Sequence, residues 1–145
     1  MQIKRLTERL TVSPQLEPAD FQELVSAGVH MVLNNRPDGE APGQLSAAEA
    51  ARLATAAGID YRHIPVTFAT LQAEDIDRFG RALEESSGPV HAHCRSGIRS
   101  ANLWMLDQVR RGLMDREQAI SWAEAHQLDI RDGLAWLDRQ TRAPA

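Results

Sequence analysis

The sequence predicts an α/β fold built on a mainly parallel sheet with helices on both faces. Three observations lead to this prediction. Between residues 18 and 111, segments with helical periodicity alternate with short apolar segments, the order typical of parallel strands joined by helices. One of these segments, Val29–Asn34, is almost continuously apolar, as expected of a strand buried on both faces. Helix-start and helix-stop signals separate the segments at regular intervals.

The chain opens with two predicted strands around a polar turn, Ile3–Leu6 and Arg9–Ser13. A helix follows, with Pro18 in its first turn and Gly28 at its end. The apolar strand comes next and leads into a charged loop rich in turn-forming residues, Asn35–Gly43. Because charges that follow a buried strand lie at the edge of a sheet, we expect this loop at the rim of a site, although a solvated surface loop has the same composition.

Ser46 opens the next helix, because Glu49 three residues later completes a capping-box sequence, and Gly58 ends it. The following strand is predicted over Ile59–Val66 and shows partial alternation of apolar and polar residues. It leads into a short loop, Thr67–Thr70, that carries no carboxylate.

A helix with an apolar face begins near Ala73 and ends at the turn-forming cluster Ser86–Pro89. A short strand starts at Val90. After a turn that contains the most distinctive motif of the chain, another helix runs to Gly112.

Two further helices complete the chain. Asp115 opens the first with a capping-box pattern, and Asp129 caps the second. Three tryptophans are predicted to pack these helices rather than to contact a cofactor: Trp104, Trp122 and Trp136. Residues 139–145 are expected to fray. We find no repeat or linker, so residues 1–145 are predicted to form a single domain.

Composition narrows the classes of function. The net charge of −4 gives no basic surplus, so no nucleic-acid partner is expected. No segment has the length of a membrane span or of a signal peptide, so neither a membrane partner nor secretion is expected. A single cysteine excludes an internal disulfide and suits a reducing cytoplasm. No cofactor is predicted. No metal site is predicted either, because His91 and His93 on their own make only a weak metal-binding pattern.

The single cysteine, Cys94, lies between the Val90 strand and the start of a helix. A helix N-terminus and the flanking arginines, Arg95 and Arg99, both favour the thiolate form of a cysteine. A lone cysteine is more often a small buried apolar residue, but here a nucleophile, a glycine, an arginine and a helix start coincide within six residues. We therefore predict a nucleophilic thiolate that reacts with a small anionic group.

The six-residue turn from Cys94 to Arg99 is predicted to bind that anion. Its backbone N–H groups, from residue 95 to residue 99, have no partner inside the helix and can point into the turn. Gly97 permits the positive φ that such a turn requires, and the Arg99 guanidinium offers a planar fork to an oxyanion. The predicted substrate-binding residues of this loop are Arg95, Ser96, Gly97, Ile98 and Ser100.

Parallel strands would bring three loops to one edge of the sheet. The predicted strands end at Asn35–Arg36, Val66–Thr67 and His93–Cys94. The loop that carries Arg36 and the cysteine turn would then face one crevice, with Arg36 as a further substrate-binding residue. Asn35 and His93 are predicted to support these groups from behind.

The chain resembles the phosphatase-like domain of beta-lactamase hydrolase-like proteins, a bacterial family with a fold like that of dual-specificity phosphatases. The resemblance covers about residues 3–111 and depends on four segments: Ser13–Gln15, Asn34–Pro37 with Glu40, His63–Val66 and Cys94–Ser100. It implies a cysteine-phosphatase-like fold with Cys94 as nucleophile and Arg99 as the anion-binding arginine. It also implies that His93 orients the thiolate loop.

The resemblance leaves the reaction open. Cysteine phosphatases have five residues between cysteine and arginine, whereas this chain has four, as in the loop of rhodaneses, which carry sulfur as a cysteine persulfide. Dual-specificity phosphatases also keep an aspartate on the loop after the preceding strand, where this chain has Thr67–Thr70. Both departures favour sulfur transfer over phosphate hydrolysis. Relatives of the family occur fused or adjacent to sulfide-oxidising enzymes, which also favours sulfur transfer.

Our principal hypothesis is therefore sulfur transfer, in which Cys94 accepts a sulfane sulfur from a small anionic donor and passes it to a thiol or a cyanide-like acceptor. One alternative is a phosphatase that acts on phosphotyrosine or a small phosphoester through phospho-Cys94. The other is a catalytically weak module that binds anions or phosphopeptides with the same loop.

Overall fold

A computed structural model describes residues 2–142, with side chains for residues 2–140. The strands, in chain order, are β1 Lys4–Arg5, β2 Leu10–Ser13, β3 Met31–Asn34, β4 Asp60–His63 and β5 Val90–His93. They form one sheet in the order β1-β2-β5-β3-β4. The β1–β2 pair is antiparallel and the other three pairs are parallel, so the predicted mainly parallel sheet is confirmed.

The helices are α1 Asp20–Ser26, α2 Ala47–Ala56, α3 Ala73–Glu85, α4 Ile98–Arg110, α5 Arg116–Ala125 and α6 Arg131–Arg142. Val32 of β3 packs with residues of α1 and α2, whereas Met31 and Leu33 pack with residues of α3 to α6. Alternate side chains of one strand therefore enter two cores, and the predicted helices on both faces are confirmed. Among the described residues, no helix is long and apolar enough to cross a bilayer.

The central position of β5 determines where the site lies. His93, the last residue of β5, pairs in register with Ser13 on one side and Asn34 on the other. The carboxyl ends of three parallel strands therefore meet at one edge of the sheet, where ligands of open α/β sheets bind.

Four strands are shorter than predicted: β1 lacks the predicted residue at each end, and β2 begins one residue later than predicted. β3 starts at Met31, two residues after the predicted start, and β4 stops at His63, before Pro65. Proline has no N–H to donate to a strand ladder, so regular pairing stops there. The chain nevertheless stays beside β3, since Ile64 N–H donates to the Asn34 carbonyl at 2.8 Å.

The helix caps predicted at Ser46 and Asp115 are formed with one difference. The Ser46 hydroxyl accepts the Glu49 N–H at 3.2 Å, but the Glu49 carboxylate pairs with Arg52, so the reciprocal half of the capping box is absent. At α5 both halves form, because Asp115 accepts from the Gln118 backbone at 2.7 Å and donates its own N–H to that side chain at 2.8 Å.

The C-terminal helices pack as the tryptophan positions predict. The Trp104 and Trp122 rings lie 4.8 Å apart between centroids, and Trp136 Nε1 donates to the Leu71 carbonyl at 2.9 Å. The prediction that residues 139–145 fray is wrong for residues 139–142, because α6 continues to Arg142. Residues 143–145 lie outside the described part of the chain.

Candidate active site

Cys94 follows the last residue of β5 and is buried, with 1% of its surface exposed. Its Sγ accepts the Gly97 N–H at 3.1 Å, so the turn closes back on the sulfur. The turn is shorter than predicted, because α4 begins at Ile98. Arg99 therefore projects from the first turn of a helix, which fixes its backbone more firmly than a loop would.

Gly97 is required by the geometry of this turn. Its φ is +94°, a conformation that side-chain-bearing residues rarely adopt. A Cβ atom at this position would also lie 3.3 Å from the carbonyl carbon and oxygen of Ser13. The backbone of the turn thus packs directly on the end of β2.

The amide cradle is smaller than predicted. Of the five N–H groups from residue 95 to residue 99, that of Gly97 already points to the sulfur, and that of Ile98 donates to the Ser96 hydroxyl at 3.3 Å. These internal bonds fix the shape of the loop and reduce the number of amides open to an anion. Arg95 is exposed beside the loop, with its carbonyl accepting the Gln15 N–H at 3.3 Å.

The Arg99 guanidinium is held by three neighbours, of which the Asn35 carbonyl is the most distant, 3.5 Å from Nη1. Nη1 donates to the Val66 carbonyl at 3.1 Å and lies 3.1 Å from Glu40 Oε2, and Nη2 donates to Glu40 Oε1 at 3.3 Å. A guanidinium has five N–H groups. The Nε–H and the second Nη2–H have no partner among the described residues, and these two adjacent donors form a fork suited to an oxyanion.

Glu40 connects two arginines at the edge of the sheet. Besides Arg99, it accepts from Arg36 Nε at 3.0 Å. Burial acts to raise the pKa of this carboxyl, but hydrogen bonds from Arg99 and Arg36 outweigh burial and lower it below its ordinary value. Glu40 therefore stays ionised near neutral pH and is a poor proton donor.

Arg36 is buried behind Glu40 rather than placed in the predicted cradle. Its Nη1 donates to Gln15 Oε1 at 3.0 Å, and its carbonyl lies 2.8 Å from His63 Nε2. Arg36 was predicted to bind substrate. These contacts indicate instead that it positions Glu40.

Asn35 joins several elements behind the loop. Its N–H donates to the His93 carbonyl at 2.8 Å, and its side-chain amide donates to the Ile64 carbonyl at 3.1 Å. The Ser100 hydroxyl donates to Asn35 Oδ1 at 2.8 Å. Ser100 is thus buried against Asn35 and does not face the cradle, contrary to the prediction that it binds substrate.

The two histidines of β5 differ in their surroundings. His91 lies between two hydroxyls, with Nδ1 2.8 Å from Thr11 Oγ1 and Nε2 2.7 Å from Ser13 Oγ. Burial lowers its pKa to about 3, with a smaller contribution from the charge of His93. Sequence reasoning missed both hydroxyls, because the contact depends on β2 lying beside β5.

His93 is buried, and neither of its ring nitrogens has a hydrogen-bond partner among the described residues. Burial lowers its pKa to about 4, an interaction of the ring with the Cys94 backbone opposes this shift, and the positive charges of Arg36 and His63 act in the same direction as burial. The interaction with Cys94 links the ring to the start of the thiolate loop, and the orienting role of His93 stays a prediction. Within the described residues, no group of three or more His, Cys, Asp or Glu side chains could hold a metal ion.

No side-chain acid faces the sulfur from the loop that follows β4. Thr67 and Thr70 hydrogen-bond each other there at 2.8 Å between their hydroxyl oxygens. Asp75, a few residues on, accepts the Gln72 N–H at 2.9 Å and caps α3. The carboxylate nearest to the arginine is Glu40, whose pKa is lowered.

A buried cysteine at the end of a central parallel strand, a glycine turn, and an arginine in the first turn of the next helix together define a cysteine-phosphatase-like domain. The family model for the phosphatase-like domain of beta-lactamase hydrolase-like proteins matches residues 2–111. The chain belongs to this family.

The relatives support the same assignment. The beta-lactamase hydrolase-like protein of Agrobacterium fabrum is 38% identical over 143 residues, which are 99% of this chain and 33% of that protein. The chain thus spans about a third of the length of this curated relative. A solved structure of a suspected phosphatase from Neisseria meningitidis is 31% identical, with 96% and 98% of the two chains covered and a TM-score of 0.83.

P. aeruginosa TpbA in complex with phosphotyrosine has a TM-score of 0.70 over 92% of this chain and 80% of TpbA. At 16% identity it shares the fold alone. Taken together, these comparisons support the phosphatase alternative better than sulfur transfer, our principal hypothesis from the sequence.

Proposed function

We propose that this domain is a cysteine-dependent phosphatase in which Cys94 attacks the phosphoryl group and Arg99 binds its oxygens. The observation that carries the proposal is the pairing of a buried thiol at the helix N-terminus with an arginine whose Nε and Nη2 donors form an open fork. The family and the Neisseria structure, both described as phosphatase-like or as a phosphatase, support it.

The proposed reaction has two displacement steps. The Cys94 thiolate forms a bond to phosphorus while the ester P–O bond breaks, and the leaving oxygen takes a proton from solvent. Water then attacks the phospho-Cys94 intermediate, releasing inorganic phosphate and the thiolate.

The identity of the leaving group should matter strongly. Protonation by a placed acid typically contributes about 10²–10⁴-fold, and the Thr67–Thr70 loop supplies none. An aryl oxide leaves without such help, whereas an alkoxide needs it. We therefore propose phosphotyrosine-like aryl phosphates as the substrates and expect alkyl phosphates to be nearly inert.

Sulfur transfer is the second candidate, and two observations favour it. The spacer between Cys94 and Arg99 has four residues, and two loop amides are already paired inside the loop. In this reaction the Cys94 thiolate attacks the sulfane sulfur of thiosulfate and sulfite leaves. An acceptor thiolate then attacks the outer sulfur of the Cys94 persulfide and restores the thiolate.

One set of assays separates the candidates. The wild-type chain is given an aryl phosphate, an alkyl phosphate, thiosulfate with cyanide, and glutathione persulfide, with Cys94→Ser as the matched inactive control. The phosphatase proposal expects turnover of the aryl phosphate and a phosphoryl adduct in the intact mass.

A sulfur adduct that forms on the wild type but not on Cys94→Ser, with no turnover of the aryl phosphate, would contradict the phosphatase proposal and support sulfur transfer. Turnover of none of the four substrates, together with binding of inorganic phosphate, would instead indicate the anion-binding module.

A further inference from the structure

Two side chains of β2 and one of β5 form a hydrogen-bond network behind the thiolate loop. The Ser13 hydroxyl donates to the Pro14 carbonyl at 2.8 Å and lies 2.7 Å from His91 Nε2. Because a hydroxyl has a single proton and the Pro14 carbonyl accepts it, Ser13 accepts from His91 Nε2–H. The other ring nitrogen, Nδ1, is then an acceptor and receives the Thr11 hydroxyl at 2.8 Å. These contacts define one tautomer of a neutral His91.

The His91 ring lies fully inside the fold. It has 0% of its surface exposed, and Ser13 has 2%. Its in-register neighbour on β3 is Val32, which packs among apolar residues of α1 and α2. In-register residues of adjacent strands share a face of the sheet, so an aliphatic side chain would suit position 91 at least as well as an imidazole. Packing alone therefore does not explain a histidine at this position.

The end of β2, which this network holds, touches the thiolate loop. A Cβ atom on Gly97 would lie 3.3 Å from the Ser13 carbonyl carbon and oxygen, so the two backbones are in close contact. Two residues further on, the Gln15 N–H donates to the Arg95 carbonyl at 3.3 Å. The Gly97 N–H points to Cys94 Sγ. A displacement of Ser13 would therefore move the amide that faces the sulfur.

The same segment reaches Arg99 by a second route. The Gln15 side chain accepts from Arg36 Nη1 at 3.0 Å, and Arg36 Nε donates to Glu40 at 3.0 Å. Glu40 in turn pairs with the Arg99 guanidinium. The residues that follow β2 thus support both the sulfur and the arginine, and His91 lies beneath the point where this segment begins.

We propose that His91 is a positioning residue, which donates its Nε2–H to Ser13 and thereby fixes the end of β2 against the Gly97 turn. The inference rests on the proposed function, since it concerns the loop that would bind the phosphoryl group. His91 does not transfer protons in this role. Both of its ring nitrogens are occupied by hydroxyls, and burial, which lowers its pKa to about 3, keeps it neutral.

Two substitutions at this position separate hydrogen bonding from packing. Glutamine keeps one donor and one acceptor for Ser13 and Thr11, whereas valine keeps only the packing. We expect His91→Val to weaken binding of inorganic phosphate about 5- to 10-fold and to lower kcat/KM for an aryl phosphate on the order of 10-fold. His91→Gln should stay within about 3-fold of the wild type in both measurements. Calorimetry measures the binding and steady-state kinetics the turnover.

Ser13→Ala tests the same contact from the other side. It removes one oxygen atom, so it keeps the test valid where His91→Val loses stability, and urea unfolding establishes that each variant is folded. We expect Ser13→Ala to weaken phosphate binding as much as His91→Val does. The double variant should show little further loss, because both changes break one contact.

His30→Val is the matched control. His30 also pairs with a serine hydroxyl, that of Ser87 at 3.0 Å, but it precedes β3 at the edge of the sheet opposite the site. Its replacement should leave phosphate binding and kinetics unchanged.

Unchanged phosphate binding in both His91→Val and Ser13→Ala overturns the inference, as do equal losses in His91→Val and His91→Gln. Weakened phosphate binding in His91→Val, restored in His91→Gln, with no hydrolysis of any phosphate ester by the wild type, would instead refute the proposed function and leave the positioning role intact. A wild type that does not bind phosphate contradicts both.

Discussion

At the scale of single residues, the site depends on how Arg99 is oriented. Three of its N–H donors are used by the Val66 carbonyl and the Glu40 carboxylate, which leaves one edge of the guanidinium for an anion. Glu40 is in turn held by Arg36, which is buried. The Arg99 guanidinium is thus positioned by a chain of charged contacts.

We expect Arg99→Lys to lower kcat/KM by on the order of 10²-fold, because lysine keeps the charge but cannot present two parallel donors. Arg95→Lys is the matched control. Arg95 is exposed and has no side-chain contact to preserve, so its change should stay within about 3-fold. Steady-state kinetics with an aryl phosphate measures both, and equal losses would show that the fork is not the binding element.

Glu40→Gln should lower kcat/KM on the order of 10-fold, because Arg99 loses the carboxylate that fixes its orientation. Glu85→Gln removes a surface carboxylate paired with Arg62 and should leave the kinetics unchanged. A rise in activity of Glu40→Gln would mean that the carboxylate competes with substrate for the guanidinium.

Sequence reasoning placed Cys94 and Arg99 together in the candidate site, because both belong to one local motif around a glycine. It did not find the contact between Glu40 and Arg99. These two residues are 59 positions apart in the sequence and come together only because of the path that the loop after β3 takes. It also assigned Arg36 to the substrate, since position at a strand end does not show which way a long side chain turns.

At the scale of secondary structure, β5 buries two histidines that stay neutral in the folded state. Their pKa values of about 3 and about 4 lie below the 6.5 of an unperturbed histidine. Below pH 6.5 the unfolded chain therefore binds protons that the folded chain does not. Stability should fall as the pH drops from about 6.5 towards 4, by up to about 1.4 kcal/mol per pH unit for each histidine.

Urea unfolding at pH 6.5 and pH 5 checks this expectation. His93→Gln should remove about half of the pH dependence, because one of the two buried titrating rings is gone. The pKa of Glu40 is also lowered, so its protonation removes stability only as the pH falls below the ordinary glutamate pKa of 4.5, which lies outside the window chosen. A pH dependence that is unchanged in His93→Gln would contradict a neutral, buried His93.

The order of secondary elements followed from the sequence, because periodicity and caps are local signals. The strand lengths did not, since regular pairing depends on the neighbouring strand and on single residues such as Pro65, which has no N–H to donate. The insertion of β5 between β2 and β3 likewise depends on long-range pairing that no local pattern specifies.

At the scale of the whole molecule, we propose that residues 1–145 form one domain. The matched family segment ends at residue 111, yet α5, α6 and the segment between them contribute to the same core cluster as Leu103 of α4, through Ala119, Ala123, Ile130 and Trp136. Their removal would expose one side of the core that packs against the sheet.

Trp136→Phe should lower the free energy of unfolding by about 1–3 kcal/mol, because the buried Leu71 carbonyl loses its donor. Trp104→Phe is the control, since Trp104 is half-buried and its indole nitrogen has no hydrogen bond among the described residues. Chemical denaturation should show a single transition for both variants. Two separate transitions would contradict the proposal of one domain.

The burial of Cys94 has a consequence for how the protein meets oxidants and other thiols. With 1% of its surface exposed, Cys94 offers almost none of its sulfur to another protein. A disulfide requires sulfur atoms about 2.05 Å apart, so we expect that two copies of this chain would have to move the residues around both cysteines to form one. Oxidation should therefore stop at small adducts on single chains, and the shape of the fold protects the reactive sulfur from covalent dimerisation.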